Sequence, residues 1–423
     1  MDWVKSIWIV LADDAVPCCN EGELPTVSGP GLMDVEVLQK VVSKAKQGGW
    51  RCTILANRQG LPQPYARLFD QVQAEVVLPA AYDGPPLSLS TTFVFDSDEI
   101  EPDRTWAAGS RATLRVRRRD LPKLAGLVIS LFGHFRSVSL RHPDLTVYTD
   151  DDLSTYRDEL LQVGQWLLDH KADWRQWRLD CLTDRFSMEG NGECGAGDVR
   201  LAVSPRGELH LCPVAMRAGL PSYGNVHDEV HIPNRHLFAR AYSQPCGSCQ
   251  ARHCLRCVYQ NKLKTREFCV PARSVCQLAH HELEAQALLA QQAIAHGFWD
   301  EKLDAPERPV LYDPVVSPED EVTDFLDFAR RFTGRAKDLQ PPLMLEMIHE
   351  LQGHLQSLLD CREAGCVPSA KVYEQDPIMV ARHLVFGACR DVVLGPGVPT
   401  VQEIMSLMRE AVARRPPVSC GRE

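Results

Sequence analysis

The chain has 423 residues, of which 44% are hydrophobic and 24% charged, and its formal net charge is −10 at pH 7. This apolar content supports a packed core and excludes a disordered scaffold. The acidic balance argues against nucleic acid or an anionic membrane as the main partner. A chain of this length accommodates two or three domains.

Short apolar runs alternate with amphipathic segments over residues 1–185, a rhythm typical of parallel α/β folds. The predicted strands cover residues 4–11, 51–56, 75–78, 89–95, 137–140 and 177–182. About six β/α units of this kind fit a degenerate partial (β/α) barrel.

Helices are predicted between these strands, where apolar residues recur every three or four positions. One apolar face covers residues 38–45, and Gly48 and Gly49 are expected to end that helix. Asp120 is expected to cap a second helix, and Thr149, which three aspartates follow, a third.

Five arginines form a dense basic run over residues 111–119, and Leu114 and Val116 alternate with them. The favoured interpretation is an edge strand that its charges protect from pairing with another chain. The other interpretation is a groove for an acidic leader peptide.

Cysteine spacing is the most informative feature of the middle of the chain. Eight of the sixteen cysteines fall in one stretch, at Cys194, Cys212, Cys246, Cys249, Cys254, Cys257, Cys269 and Cys276. Such a cluster can form disulfides in a secreted fold, bind zinc, or bind iron–sulfur clusters.

No export signal is predicted at the N-terminus, and no window approaches the roughly 18 apolar residues that a membrane span needs. A cytoplasmic location is therefore expected, where patterned cysteines favour metal over disulfides. Two Cys-x2-Cys pairs only four residues apart would be cramped around one ion. We therefore predict two metal sites that share these cysteines, as iron–sulfur clusters or, alternatively, as zinc.

The full cysteine pattern resembles the SPASM domain of radical S-adenosylmethionine (SAM) peptide-modifying enzymes. The signature here consists of Cys194, Gly207, Cys212, then Cys246, Cys249, Cys254 and Cys257, then Cys276. The inner spacings are each one residue shorter than the usual form. The segments 204–208 and 224–226 resemble the hairpin turn of that domain and its sequel.

This resemblance implies two [4Fe-4S] clusters. One takes Cys246, Cys249, Cys254 and Cys276 as ligands. The other takes Cys194, Cys212 and Cys257, and its fourth position is open or filled by Cys181 or Cys269. Several histidines crowd the same region, and one of them could replace a thiolate.

Residues 253–262 and 276–280 resemble more closely the maturases of CXXX-repeat peptides, as does the opening segment 9–14 with Cys18. Radical SAM enzymes carry a Cys-x3-Cys-x2-Cys motif after the first barrel strand, whereas this chain has only the adjacent pair Cys18-Cys19 there. Adjacent cysteines cannot easily ligate two corners of one cubane. The expectation is a degenerate barrel that is similar in architecture to radical SAM enzymes but lacks their radical chemistry.

Two kinds of function remain open. In the first, the chain is a maturase that modifies a cysteine-containing ribosomal peptide, and an open iron site binds a substrate thiolate. In the second, it is a non-catalytic subunit that presents a precursor peptide to a second modifying enzyme. A genuine radical SAM enzyme with an atypical cluster is a further alternative. Whether the chain is an enzyme stays open at this point.

Three domains are expected: a barrel-like domain over residues 1–185, a cluster-binding domain over 186–297 and a helical bundle over 298–423. The last is predicted from apolar residues at helical spacing and a capping box at Thr400 and Glu403.

Overall fold

A computed structural model describes residues 2–22, 31–101, 104–170, 176–184, 194–228, 230–232, 235–243, 246–265 and 268–297. These residues belong to one structural unit, Met1–Asp313. The predicted helical bundle over 298–423 lies outside the described residues, so it remains a prediction.

The described strands are β1 (Ser6–Val10), β2 (Arg51–Leu55), β3 (Ala74–Pro79), β4 (Ser90–Asp96), β5 (Arg111–Arg115), β6 (Ser137–Arg141), β7 (Arg178–Leu179), β8 (Arg200–Val203) and β9 (Leu209–His210). The α-helices are α1 (Val35–Gly48), α2 (Gln63–Ala66), α3 (Leu124–Phe132), α4 (Asp150–Asp169), α5 (Pro213–Arg217), α6 (Val258–Thr265) and α7 (Arg273–Ala295). Short 3-10 helices cover Arg67–Gln71, Arg118–Lys123, Leu145–Val147, Arg235–Phe238, Arg240–Tyr242 and Cys246–Ser248. Among the described helices, none is both long enough and apolar enough to cross a membrane.

The strands form one sheet in the order β7-β6-β5-β4-β3-β2-β1-β8-β9, parallel throughout except for β9, which is antiparallel to β8. The fold is therefore mixed α/β with a parallel sheet, as predicted. Strands β1 to β6 each pair with the next strand in the chain. Because such crossovers are almost always right-handed, this order directs the connections to one face of the sheet.

All six predicted strands are present, and the structure adds β8 and β9. The strand expected at the basic run is also present as β5, but its predicted place at an edge is wrong. Strand β5 lies inside the sheet, paired with β4 and β6. Arg115 is buried there, donates to the carbonyl oxygen of Glu21 at 2.9 Å and pairs with Asp96 at 3.3 Å. The arginines of this strand are compensated by distant acceptors, so they do not mark an exposed edge.

Two of the three predicted helix ends are confirmed. Gly49 follows α1 in the left-handed conformation, with φ of 64°. Thr149 and Asp152 form a reciprocal capping box at the start of α4. The prediction for Asp120 is wrong, because Asp120 lies within the 3-10 helix Arg118–Lys123 and α3 starts after Lys123 without a side-chain cap.

Helix α7 packs against α4 and so joins the cysteine-rich segment to the α/β sheet. The hydroxyl of Tyr156 in α4 donates to Glu282 in α7 at 2.8 Å, and both side chains are buried. The side-chain amide of Gln286 donates to the carbonyl oxygen of Cys181 at 2.7 Å. These buried bonds fix the position of α7, whose first turn carries Cys276.

Candidate metal centre

Four thiols form one group, which we call the helix-side thiols: Cys246, Cys249, Cys254 and Cys276. The first three lie on the segment that precedes α6, and Cys276 lies in α7. Burial raises the pKa of the Cys276 thiol, and so do the charges of the other three thiols. Burial also raises the pKa of Cys254 to about 12, with further contributions from Glu282 and Cys246.

The segment around the helix-side thiols is shaped by the buried guanidinium of Arg240. It donates to the carbonyl oxygens of Cys246, Cys249 and Ala251 at 3.0, 3.1 and 3.1 Å. Further along, Arg256 has a φ of 47°, in the left-handed region that non-glycine residues seldom adopt. This residue turns the chain between Cys254 and Cys257, which belong to different groups.

A second group, the sheet-side thiols, consists of Cys19, Cys194, Cys212 and Cys257. All four line one cavity of about 440 Å³ beside the sheet. The pKa of Cys257 is raised to about 12, chiefly by burial and in smaller part by the charges of Cys194 and Cys19. The pKa of Cys212 and that of Cys194 are likewise raised, first by burial and then by neighbouring thiols that include Cys19.

The loop after β1 brings Cys19 to this group. The Cys19 amide donates to the carboxylate of Glu21 at 2.8 Å. Asn20 accepts from the backbone amide of His142 at 2.7 Å, just beyond the carboxyl end of β6. Because Arg115 donates to the Glu21 carbonyl oxygen, the loop is also attached to the end of β5.

The structure therefore brings the seven predicted ligands into two groups and adds Cys19 to one of them. Cys181 and Cys269, the two residues considered as an extra ligand, do not line the cavity of about 440 Å³, although Cys181 lines a smaller cavity together with Cys254 and Cys257. The Cys181 thiol interacts with Tyr156 and Glu282, and the backbone carbonyl of Cys269 accepts from the hydroxyl of Ser243. Sequence reasoning missed Cys19 because it treated Cys18-Cys19 only as a defective SAM motif.

Both groups fit iron–sulfur clusters by donor chemistry. The thiols whose pKa values are raised stay protonated near neutral pH, so a cationic centre is needed to hold them as thiolates. Four thiolates are the usual ligand set of a [4Fe-4S] cluster. Within the described residues, no three His, Cys, Asp or Glu side chains come close enough to ligate one single ion.

The larger cavity has a polar wall built from the free face of the sheet. Thr53 donates to the carboxylate of Glu75 at 3.0 Å, and Glu75 also pairs with Arg111. Arg200 stacks 4.7 Å above the ring of Trp8. Among the ionised side chains that line the cavity are four arginines and two carboxylates, namely Arg111, Arg141, Arg178, Arg200, Glu75 and Asp184.

A smaller cavity of about 140 Å³ touches both groups, because Cys254 and Cys257 each line it. His142 also lines it and is 3% exposed, and no residue in the described part of the chain hydrogen-bonds to its Nε2 atom. Burial lowers the pKa of His142 to about 3, so the ring is neutral at ordinary pH. On another wall, His253 Nε2 lies 3.0 Å from the Glu282 carboxylate.

One histidine approaches a thiol directly. The Nε2 atom of His280 lies 3.5 Å from Cys249 Sγ. His280 follows Cys276 by four residues in α7, so the two side chains lie on the same face of the helix. His280 can therefore donate a hydrogen bond to a thiolate of the helix-side group.

No protein family matches the chain, and no curated protein matches it. Among solved structures, anSMEcpe with bound AdoMet and Cp18Cys peptide is 12% identical, with a TM-score of 0.42 over 70% of this chain and 99% of that chain. SuiB of Streptococcus suis bound to the precursor peptide SuiA is 10% identical, with a TM-score of 0.40 over 65% of this chain and 76% of that chain. At these values the likeness by itself supports no conclusion about this chain.

Proposed function

We propose that this chain is an iron–sulfur protein that acts in the maturation of a ribosomally made, cysteine-containing peptide, without SAM radical chemistry. The observation that carries the proposal is the presence of two separate groups of four thiols, one of which lines a large cavity. Residues 1–185 would form the degenerate partial barrel, and residues 186–297 a SPASM-type cluster domain.

The helix-side thiols would hold one [4Fe-4S] cluster, and the sheet-side thiols the other. Bound clusters would supply one-electron transfer next to the cavity. The protein's part is to keep the thiols dry and fixed: Arg240 binds the carbonyls of the helix-side segment, and Glu21 binds the Cys19 amide. Zinc at these groups is the alternative, and metal analysis separates the two.

The larger cavity is the proposed peptide site. A volume of about 440 Å³ falls within the usual range of ligand pockets and accommodates a few residues of an extended peptide. Its wall offers hydroxyl groups of Thr53, Thr92, Thr113 and Ser139 and the four arginines named above. Three of these arginines, Arg111, Arg141 and Arg178, already pair with carboxylates of the protein. Such a wall would chiefly orient a peptide backbone, while a peptide cysteine approaches the sheet-side thiols.

The absence of radical chemistry is proposed from the loop after β1. In the described part of that loop, residues 12–22, the cysteines are the adjacent pair Cys18 and Cys19, with their sulfur atoms 3.6 Å apart. A SAM cluster needs three thiolates and an open iron in this place. The side chain of Cys19 is instead directed to the sheet-side group.

A non-catalytic recognition subunit is the second candidate, and one observation favours it. Each group already contains four thiols, so neither would leave an iron site open for a substrate thiolate. The chain would then bind a precursor peptide in the cavity and present it to a second modifying enzyme.

The test begins with iron, acid-labile sulfide and zinc in anaerobically purified full-length protein. About eight iron atoms and as many sulfides per chain are expected. Stoichiometric zinc with negligible sulfide would overturn the proposal. The reduced protein is then incubated with a synthetic peptide of repeated Cys-x-x-x units. A change in peptide mass supports the maturase, whereas binding without a mass change supports the recognition subunit.

A further inference from the structure

The sheet-side group contains one thiol from outside the cysteine-rich stretch. Cys194, Cys212 and Cys257 lie within that stretch, whereas Cys19 belongs to the loop after the first strand. All four line the same cavity. Three thiols from one segment and the adjacent pair Cys18-Cys19 from a remote loop therefore line a common space.

Contacts that do not involve metal hold Cys19 in this place. Its amide donates to Glu21 at 2.8 Å, and Glu21 is 2% exposed. The same carboxylate accepts from Arg217 at 2.5 Å. Arg217 is the last residue of α5, a helix whose N-cap is Cys212. One buried carboxylate thus connects the loop of Cys19 to the element that carries Cys212.

The fixation of this loop extends beyond Glu21. Arg217 also donates to the carbonyl oxygens of Ala15 and Val16, at 2.8 and 3.1 Å. On the other side of the group, the Cys194 amide donates to the carbonyl oxygen of Leu255 at 3.1 Å, two residues before Cys257. The four thiols are therefore positioned by a network that crosses from the sheet to the cysteine-rich segment.

We propose that Cys19 is the fourth thiolate ligand of the cluster held by Cys194, Cys212 and Cys257. This inference rests on the proposed function, since it presumes that an iron–sulfur cluster occupies the sheet-side group. It assigns the position to Cys19 in place of Cys181 or Cys269. The loop that holds the SAM cluster in radical enzymes here supplies a ligand to a different cluster.

Two consequences follow for the chemistry. Because every iron of this cluster then has a thiolate, the cluster transfers electrons and does not bind a substrate thiolate as a Lewis acid. The cluster also joins the sheet to the cysteine-rich segment, so loss of one ligand affects both. Cys18 remains in the cavity wall as a thiol outside the group of four.

The test compares the anaerobic full-length protein with C19A, the neighbouring control C18A and the double variant C18A/C19A. Iron and sulfide are counted, and the reduced clusters are examined by electron paramagnetic resonance and Mössbauer spectroscopy, with and without added cyanide as a probe for an open iron. We expect cyanide to leave the wild type and C18A unchanged. In C19A, cyanide should change the spectrum of one cluster, or mild oxidation should remove about one iron of eight.

The outcomes separate this inference from the proposed function. A wild type without sulfide overturns the proposed function itself. A wild type with two cubanes whose spectrum already responds to cyanide overturns only the assignment of Cys19. If the double variant C18A/C19A has wild-type spectra, that result also overturns only the assignment of Cys19. If C19A fails to fold, C19S keeps a ligating oxygen, and a shifted spectrum of one cluster supports the assignment, whereas an unshifted one refutes it.

Discussion

The guanidinium of Arg217 donates to the carboxylate of Glu21 across 2.5 Å, and the two side chains are only 9% and 2% exposed. The same carboxylate accepts the amide of Cys19 at 2.8 Å. This ion pair therefore joins the loop after β1 to helix α5, next to Cys212. Removing this ion pair tests whether contacts within the protein, without metal, hold the loop in place.

Replacing Arg217 with Met should lower the free energy of unfolding by about 3–5 kcal/mol, because it leaves the Glu21 carboxylate buried without its partner. Denaturant unfolding under anaerobic conditions measures the change. The matched control is Arg58→Met, which removes the exposed pair between Arg58 and Asp83. That variant should change stability by less than about 1 kcal/mol. Equal effects of the two substitutions would contradict the role given to the buried pair.

Replacing Cys254 with Ala should destabilise the cysteine-rich segment and lower the iron content, by one iron up to about half, because metal binding at such a site is largely folding energy. Cys52→Ala is the control. Cys52 is a buried thiol of β2 whose pKa is raised to about 12 by burial alone. Its loss should cost about 1 kcal/mol and no iron. Iron analysis of both variants measures the difference. Equal loss of iron from the two would refute the assignment of Cys254 to the helix-side cluster.

Stability should fall in mild acid because of His142. Its folded pKa is about 3 against an ordinary value of 6.5, so only the unfolded chain gains this proton as the pH falls from 6.5 towards 3. The folded state then loses about 1.4 kcal/mol for each pH unit in that window, and nothing above it.

His142→Phe keeps a ring against Tyr156, whose centroid lies 4.9 Å away, but removes the titration. Thermal unfolding at pH 7.5 and 5.5 should show the variant gaining about 1.4 kcal/mol on the wild type at the lower pH. The exposed His134 provides the control, since His134→Phe should show no such gain. A difference between H142F and wild type that does not vary with pH would exclude a buried neutral ring.

The sequence predicts the strands of residues 1–185 but not the place of β5 inside the sheet, and the reason is electrostatic. A short apolar run is a local signal, and β1 to β4 carry it clearly. The arginines of β5 look exposed in sequence. In the fold Arg111 meets Glu75 and Arg115 meets Asp96, on strands that precede β5. Such ion pairs depend on which strands are neighbours in the sheet, so the local sequence of β5 does not indicate them.

The same limit applies to the sheet-side thiols. Sequence spacing relates cysteines that lie near one another in the chain. It therefore assigns the members of the cysteine-rich stretch to common metal sites. Cys19 joins them through a loop held by Glu21, Asn20 and Arg217. Its position after the first strand was the only available signal, since the ends of parallel strands meet at one edge of a sheet. Side-chain direction in that loop cannot be derived from spacing.

The contact between His280 and Cys249 predicts a shift in redox potential. A hydrogen bond from Nε2 to the thiolate would stabilise the more negative, reduced cluster. His280→Leu should therefore lower the potential of the helix-side cluster by tens of millivolts, since a bond to a charged group contributes about 1.5–3 kcal/mol, only part of which differs between redox states. Redox titration followed by electron paramagnetic resonance measures the shift. His227→Leu, at a surface residue outside both groups, is the control and should leave both potentials unchanged.

The last prediction concerns SAM. If Cys19 serves the sheet-side cluster, the loop after β1 has no set of three thiolates for a cluster with an open iron. Reduced protein incubated with SAM should then form no 5′-deoxyadenosine above background, with or without a cysteine-repeat peptide. Chromatography with mass detection measures the product, and a radical SAM enzyme in the same buffer is the positive control. SAM cleavage that disappears in C18A, with three clusters in the iron count, would show that the loop holds its own cluster and would return the protein to the radical enzymes.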